Sequence, residues 1–240
     1  MKLIFIRHGD PDYDNDCVTE KGKKEVEYLA DMLQQEDIDE FYVSPLGRAR
    51  DTADATLKRI GKKGIECLWL KEFDTCITMP ITGEKHLIWD FKPSFLEKYP
   101  KLYLPGTWQQ ESFIAESKVP QDLLSVYNAM DKLLASYGYI RDGLHYKVEK
   151  ESHKKLAFFC HFGVAGIILS HLFNFSPIAF LQHFSAAPSS VTTIYTEERE
   201  QGVASFRCAG YGDISHLYMA NEPPSFAGRF AETFSGFTRH

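Results

Sequence analysis

Lys2-Leu3-Ile4-Phe5-Ile6-Arg7-His8-Gly9 decides the reading of this chain. A short apolar run, rich in strand formers and without polar alternation, ends abruptly in Arg-His-Gly. Such a run is too short for a helix and reads as a strand buried on both faces. A strand of that kind belongs to a parallel sheet covered by helices on either side, because only there are both faces out of water. Outward from it, Thr19 caps a helix with Val26, Leu29, Ala30 and Leu33 at helical spacing. A second strand over 40–43 closes at Ser44-Pro45, and a helix over about 48–60 turns Ala49, Ala53, Leu57 and Ile60 inward. Gly61 and Gly64 stop it. The spacing predicts further strands over 65–70, 156–160, 191–196 and 203–208. Helices are expected over 123–137 and from 162 to Phe173.

Strands alternating with helices predict an α/β fold, a mostly parallel sheet with helices on both faces. Residues 1–240 read as one domain. An irregular, aromatic-rich insertion at about 74–120 interrupts it, carrying five prolines with Trp89 and Trp108. Its Phe91, Phe95, Tyr99 and Tyr103 form either a small satellite core or a lid against an apolar alcohol. Near the end, Phe226, Phe230, Phe234 and Phe237 recur at spacings that suit one apolar helix face, docked on the domain or used in a homodimer.

Composition narrows the function. Lys and Arg number 27 against 33 Asp and Glu, a net charge of -6. That balance disfavours nucleic acid and anionic membrane as partners. No apolar run approaches the ~18 residues of a membrane span, and the first apolar run is too short for a signal peptide. Five scattered cysteines without a C-x-x-C pair read as reduced thiols, so the expected location is cytoplasmic.

Ligands of an open α/β sheet bind beyond the carboxyl ends of its strands. Polar residues stand there four times: Arg7-His8-Gly9, Ser44-Pro45 leading to Arg48, Leu70-Lys71-Glu72, and His161-Phe162-Gly163. Two arginines, two histidines and a carboxylate would meet on one rim. Guanidinium groups present forked donors that match phosphate oxygens and stay charged at working pH. A protonated His161 would add a third cation. No H-x-x-x-H or carboxylate cluster suggests a metal.

With Ser44-Pro45-x-x-Arg48-Ala49-x-x-Thr52-Ala53, Leu70-x-Glu72 and His161-x-Gly163 in this order, the chain resembles the histidine phosphatase (phosphoglycerate mutase-like) superfamily, in its branch of small cytosolic enzymes. The resemblance covers residues 1–72 and about 156–216. It implies a three-layer, phosphoglycerate mutase-like fold and hydrolysis of a small-molecule phosphate ester through a phosphohistidine, with neither metal nor other cofactor. His8 would be the nucleophile, Glu72 the proton donor, and Arg7, Arg48 and His161 the phosphate ligands. Asp74 is the alternative acid. Family members follow R-H-G with a longer loop, E-T-x-W-N, whose Asn contacts phosphate. Here Asp14 falls at that position, so either Asn15 takes over or the contact is missing. A mutase needs further arginines in mid-chain, and none stands between Arg59 and Arg141. Hydrolysis is therefore expected, with mutase-type phosphoryl transfer and a non-catalytic phosphate-binding protein as the alternatives.

Overall fold

The structure is a computed structural model and describes residues 1–236. In chain order its elements are β1 (Lys2–Arg7), β2 (Pro11–Asp12), β3 (Cys17–Val18), α1 (Glu20–Leu33), β4 (Glu40–Val43), α2 (Gly47–Ile60) and β5 (Ile65–Glu66). Then come β6 (Cys76–Thr78), β7 (Lys85–Leu87), α3 (Pro93–Leu96), α4 (Ser112–Ala115), α5 (Val119–Ser136), β8 (Tyr139–Asp142) and β9 (His145–Val148). The last are β10 (Lys155–Cys160), α6 (Phe162–Phe173), α7 (Pro177–His183), β11 (Val191–Glu200), β12 (Val203–Asp213) and α8 (Ser215–Met219).

An eight-stranded sheet runs in the order β5-β4-β10-β1-β11-β12-β9-β8. Its β5-β4-β10-β1 half is parallel, as expected for the strands that carry the rim, while β11 joins β1 antiparallel and the strands beyond it are antiparallel too. The unbroken apolar run of β1 is explained by its two covered faces. Ile4 and Ile6 pack with Leu29 and Leu33 of α1 and Ala53 and Leu57 of α2. Leu3 and Phe5 face the other way, into a core with Met130 of α5 and Ile167 of α6. β10 divides its side chains likewise, Ala157 and Phe159 to one layer and Leu156 and Phe158 to the other.

The local signals act where they were expected. Thr19 accepts a bond from the Gly22 amide (3.0 Å) at the start of α1. Gly61, in the left-handed region at φ 65°, ends α2. The expected strand over 65–70 is only Ile65–Glu66, followed by a 3-10 turn over Leu68–Leu70. The turn buries Leu70 and still brings Glu72 back to the rim.

The insertion is largely core. Phe91, Phe95, Leu102, Trp108 and Ile114 are buried in the same cluster as β1 and β10, so the satellite is continuous with the main core. Trp89 is different: it is half-buried and lies against α6, whose Phe162 it meets edge-on at 6.1 Å. The expected apolar helix near the C-terminus does not form. Residues 222–236 contain turns and no helix, with Phe230 and Phe234 exposed; Phe237 lies outside the described residues. A stretch carrying Pro223, Pro224, Gly228 and Gly236 lacks the backbone preference that the phenylalanine spacing requires.

Candidate active site

The parallel strands deliver their following residues to one rim. Arg7 sits opposite Cys160, and Val43 opposite Phe159, so Arg7-His8, Ser44 and His161 end level with one another. His8 is held by its backbone from both sides. Its amide donates to the Cys160 carbonyl (3.1 Å), and its carbonyl accepts from the Ser189 amide (2.9 Å). Its ring Nδ1 lies 2.8 Å from the Gly9 carbonyl. A carbonyl only accepts, so Nδ1 carries the proton and Nε2 the lone pair. Burial, and then the charges of Arg7 and His161, hold the His8 imidazole neutral, well below the usual histidine range.

His161 lies with its ring centroid 5.1 Å from that of His8, and its Nε2 is 2.8 Å from Ser44 Oγ. Among the protein groups alone, His161 does not carry the expected third charge. Burial, then Arg48 and Arg7, push His161 down to about 2, so the ring is a neutral hydrogen-bonding group. Two guanidiniums already occupy the site, and a third positive charge out of water would add repulsion to desolvation.

Arg7 and Arg48 are both buried. Arg7 Nη1 donates to the Ala186 carbonyl (2.5 Å), and its guanidinium lies 5.8 Å from the Phe162 ring. Burial lowers its affinity for the proton, against the pull of Tyr13 and Glu72. Arg48 Nη1 donates to Asp16 Oδ1 (2.5 Å), and Asp16 Oδ2 accepts from the Gly47 amide (2.7 Å). Asp16 thus caps α2, whose own preceding residue, Leu46, offers no side-chain acceptor. Only glycine fits at position 47, since a Cβ there would stand 2.0 Å from the Asp16 carbonyl oxygen. Arg7 Nε, Arg48 Nε and His161 Nδ1 are buried without a hydrogen-bond partner among the described residues. Buried polar atoms without partners suit a ligand rich in acceptors.

Glu72 reaches the amino end of α6. It accepts from the amides of Phe73 (2.9 Å), Gly163 (3.2 Å) and Val164 (3.0 Å). Burial nevertheless outweighs these bonds and the nearby Arg7, and raises its carboxyl above the ordinary range. Asp74, the alternative acid, is exposed.

Arg7, His8, Arg48, His161 and Glu72 are therefore neighbours. Asn15 is not among them: its side chain donates to Asp12 Oδ2 (2.8 Å) inside an exposed turn. Tyr13 and Asp16 come to the site instead. The Tyr13 ring lies 5.4 Å from the Arg48 guanidinium and 6.5 Å from the His8 ring. Both belong to the loop after Gly9, where no periodic signal singles them out; the one clue is that Asp16 can cap a helix whose own first residues cannot.

Residues 3–89 match the family model of the histidine phosphatase superfamily (branch 1). The 2,3-bisphosphoglycerate-dependent phosphoglycerate mutase of Thermoplasma acidophilum is 44% identical over 64 residues, covering 22% of this chain and 32% of that protein. Phosphoserine phosphatase 1 of Hydrogenobacter thermophilus is 27% identical over 145 residues, 56% of this chain and 63% of that one. The chain thus spans less than two thirds of either relative. In fold it is similar to a phosphoserine phosphatase from Entamoeba histolytica solved with 3-phosphoglyceric acid. That likeness has a TM-score of 0.60 at 18% identity, over 90% of this chain and 98% of the other.

Proposed function

We propose that the chain, whose residues 3–89 match the histidine phosphatase superfamily (branch 1), is a phosphatase of that kind and hydrolyses a small-molecule phosphate monoester through a phosphohistidine on His8, without a metal. The observation that carries this reading is the state of His8: a buried, neutral imidazole with Nδ1 bound to the Gly9 carbonyl and Nε2 free to attack, between two arginines.

Arg7 and Arg48 bind the phosphoryl oxygens, and neutral His161 adds a hydrogen bond. The clamp lowers the charge that repels a nucleophile and stabilises the equatorial oxygens as they flatten. Nε2 of His8 attacks phosphorus in line, and the N–P bond forms as the P–O bond to the alcohol breaks. The Gly9 carbonyl stabilises the positive charge that builds on the ring. The departing oxygen takes the proton of the Glu72 carboxyl. In the second half, water attacks phosphorus, Glu72 carboxylate takes its proton, the N–P bond breaks, and inorganic phosphate leaves.

A phosphoglycerate mutase relative favours transfer as a second reading. Against it, no arginine stands between Arg59 and Arg141, and the cations that bear on His8 and His161 are Arg7 and Arg48, enough for one phosphoryl group. Among the described residues no group of three His, Cys, Asp or Glu is placed to hold a metal. No helix among them is long and apolar enough to cross a membrane.

Rapid quench into alkali during turnover of a labelled phosphate ester, in excess chelator, tests the reading. An acid-labile label on His8 is expected, with label and phosphate release both lost in His8→Ala. Turnover without any labelled residue would replace the covalent step by direct attack of water.

A further inference from the structure

Glu72 and Trp89 meet at one point. A Cβ at Gly163 would lie 2.7 Å from Glu72 Oε1 and 2.5 Å from Cζ3 of the Trp89 indole, so carboxylate and ring edge press together on the same glycine. Phe162 continues this apolar surface toward the phosphate end. Its ring meets Trp89 edge-on at 6.1 Å and lies 5.8 Å from the Arg7 guanidinium. A proton donor must touch the oxygen that departs. If Glu72 is that donor, the first carbons of the alcohol must lie beside it, and so beside Trp89.

Resting on the phosphatase reading above, we propose that Trp89 and Phe162 form the leaving-group platform, and that the site takes phosphate esters of uncharged alcohols with an apolar or ring face next to the ester oxygen. An indole edge offers such a group contact area at little cost in side-chain ordering. A carboxylate on the alcohol would find no such welcome. Arg7, which bears on Glu72, is already committed to phosphate, and Glu72 itself repels a second anion whenever it is ionised. Phosphoserine and 3-phosphoglycerate, whose names attach to the structural neighbour, carry that carboxylate. Through Trp89 the insertion reaches the substrate, while its Phe91, Phe95 and Trp108 lie in the core.

Benzyl phosphate and ethyl phosphate test this, because their alcohols have similar basicity and differ in the ring. The parent enzyme should show kcat/KM for benzyl phosphate at least about tenfold above those for ethyl phosphate and O-phosphoserine. Trp89→Ala should raise KM for benzyl phosphate about tenfold more than KM for ethyl phosphate, with the far-ultraviolet circular dichroism spectrum and thermal melt of the variant reporting an intact fold. Trp89→Phe should recover most of the loss. Equal effects of Trp89→Ala on both esters, or a parent enzyme that favours O-phosphoserine, would overturn the platform and leave the phosphatase reading standing. A parent enzyme that releases phosphate from none of these esters, with no label on His8, would overturn both.

Discussion

His8 and Glu72 are driven in opposite directions by the same burial. The imidazole loses its proton more readily than a free histidine, and the carboxyl holds its proton longer than a free glutamate. Those are the states that the proposed attack and proton donation require, so on that reading one environment prepares both partners. The signs set the pH profile of enzyme phosphorylation. The rate falls on the acid side as His8 gains its proton, at a pH well below the usual histidine value. On the alkaline side it falls as Glu72 loses its proton, at a pH above the usual carboxyl value, and a bound phosphate dianion moves both limbs up. In Glu72→Gln, single-turnover phosphorylation by an alkyl phosphate should slow by about 10²–10⁴-fold and the alkaline limb should vanish. Phosphorylation by p-nitrophenyl phosphate should slow far less, because nitrophenolate leaves almost unaided. If both esters slow alike, Glu72 positions substrate and is not the acid.

At the scale of the element, α1 does more than cover the sheet. Its Glu25 is fully buried and accepts from the Asp10 amide (2.8 Å) and the Ser225 amide (3.2 Å), with Lys21 Nζ at 3.6 Å. One carboxylate thus ties the loop after His8-Gly9 to α1 and to the chain beyond α8. Burial pushes it up to about 7 from an ordinary 4.5. The folded state then binds a proton that the unfolded chain has already released, so stability falls as pH rises through this window. Glu25→Gln removes the titration. The stability of the variant relative to its parent should improve by as much as about 3 kcal/mol between about pH 4.5 and pH 8, in denaturant melts at each pH. A difference independent of pH would mean that Glu25 titrates as in the unfolded chain.

For the whole molecule, the question is whether the insertion is an appendage. Trp108 is 3% exposed and shares one core cluster with Leu3, Phe158 and Ile167. A side chain packed into a shared core transmits its loss to the global transition. Trp108→Ala should cost about 3–5 kcal/mol and leave a single unfolding transition, coincident by far-ultraviolet circular dichroism and by fluorescence of the remaining tryptophans. Two separate transitions would show that the insertion unfolds on its own.

β1, α1, α2, β10 and α6 were legible in the sequence because their signals are local: an unbroken apolar run, helical spacing after Thr19, a stop at Gly61. The meeting of Arg7, His8, Arg48 and His161 was legible too, because parallel strands align their carboxyl ends and each residue follows its strand closely. The apolar spacing of Phe226, Phe230 and Phe234 misled, since spacing carries no weight where prolines and glycines oppose the helix. Other features depended on tertiary structure. The neutrality of His161 follows from burial between two arginines that strand and helix bring from far along the chain. Asp16 on Arg48, Glu25 beneath Asp10 and Ser225, and Trp89 against Gly163 join segments whose separation no spacing encodes. Periodicity records which way a side chain points within its own element; what it meets there is decided only when the elements pack.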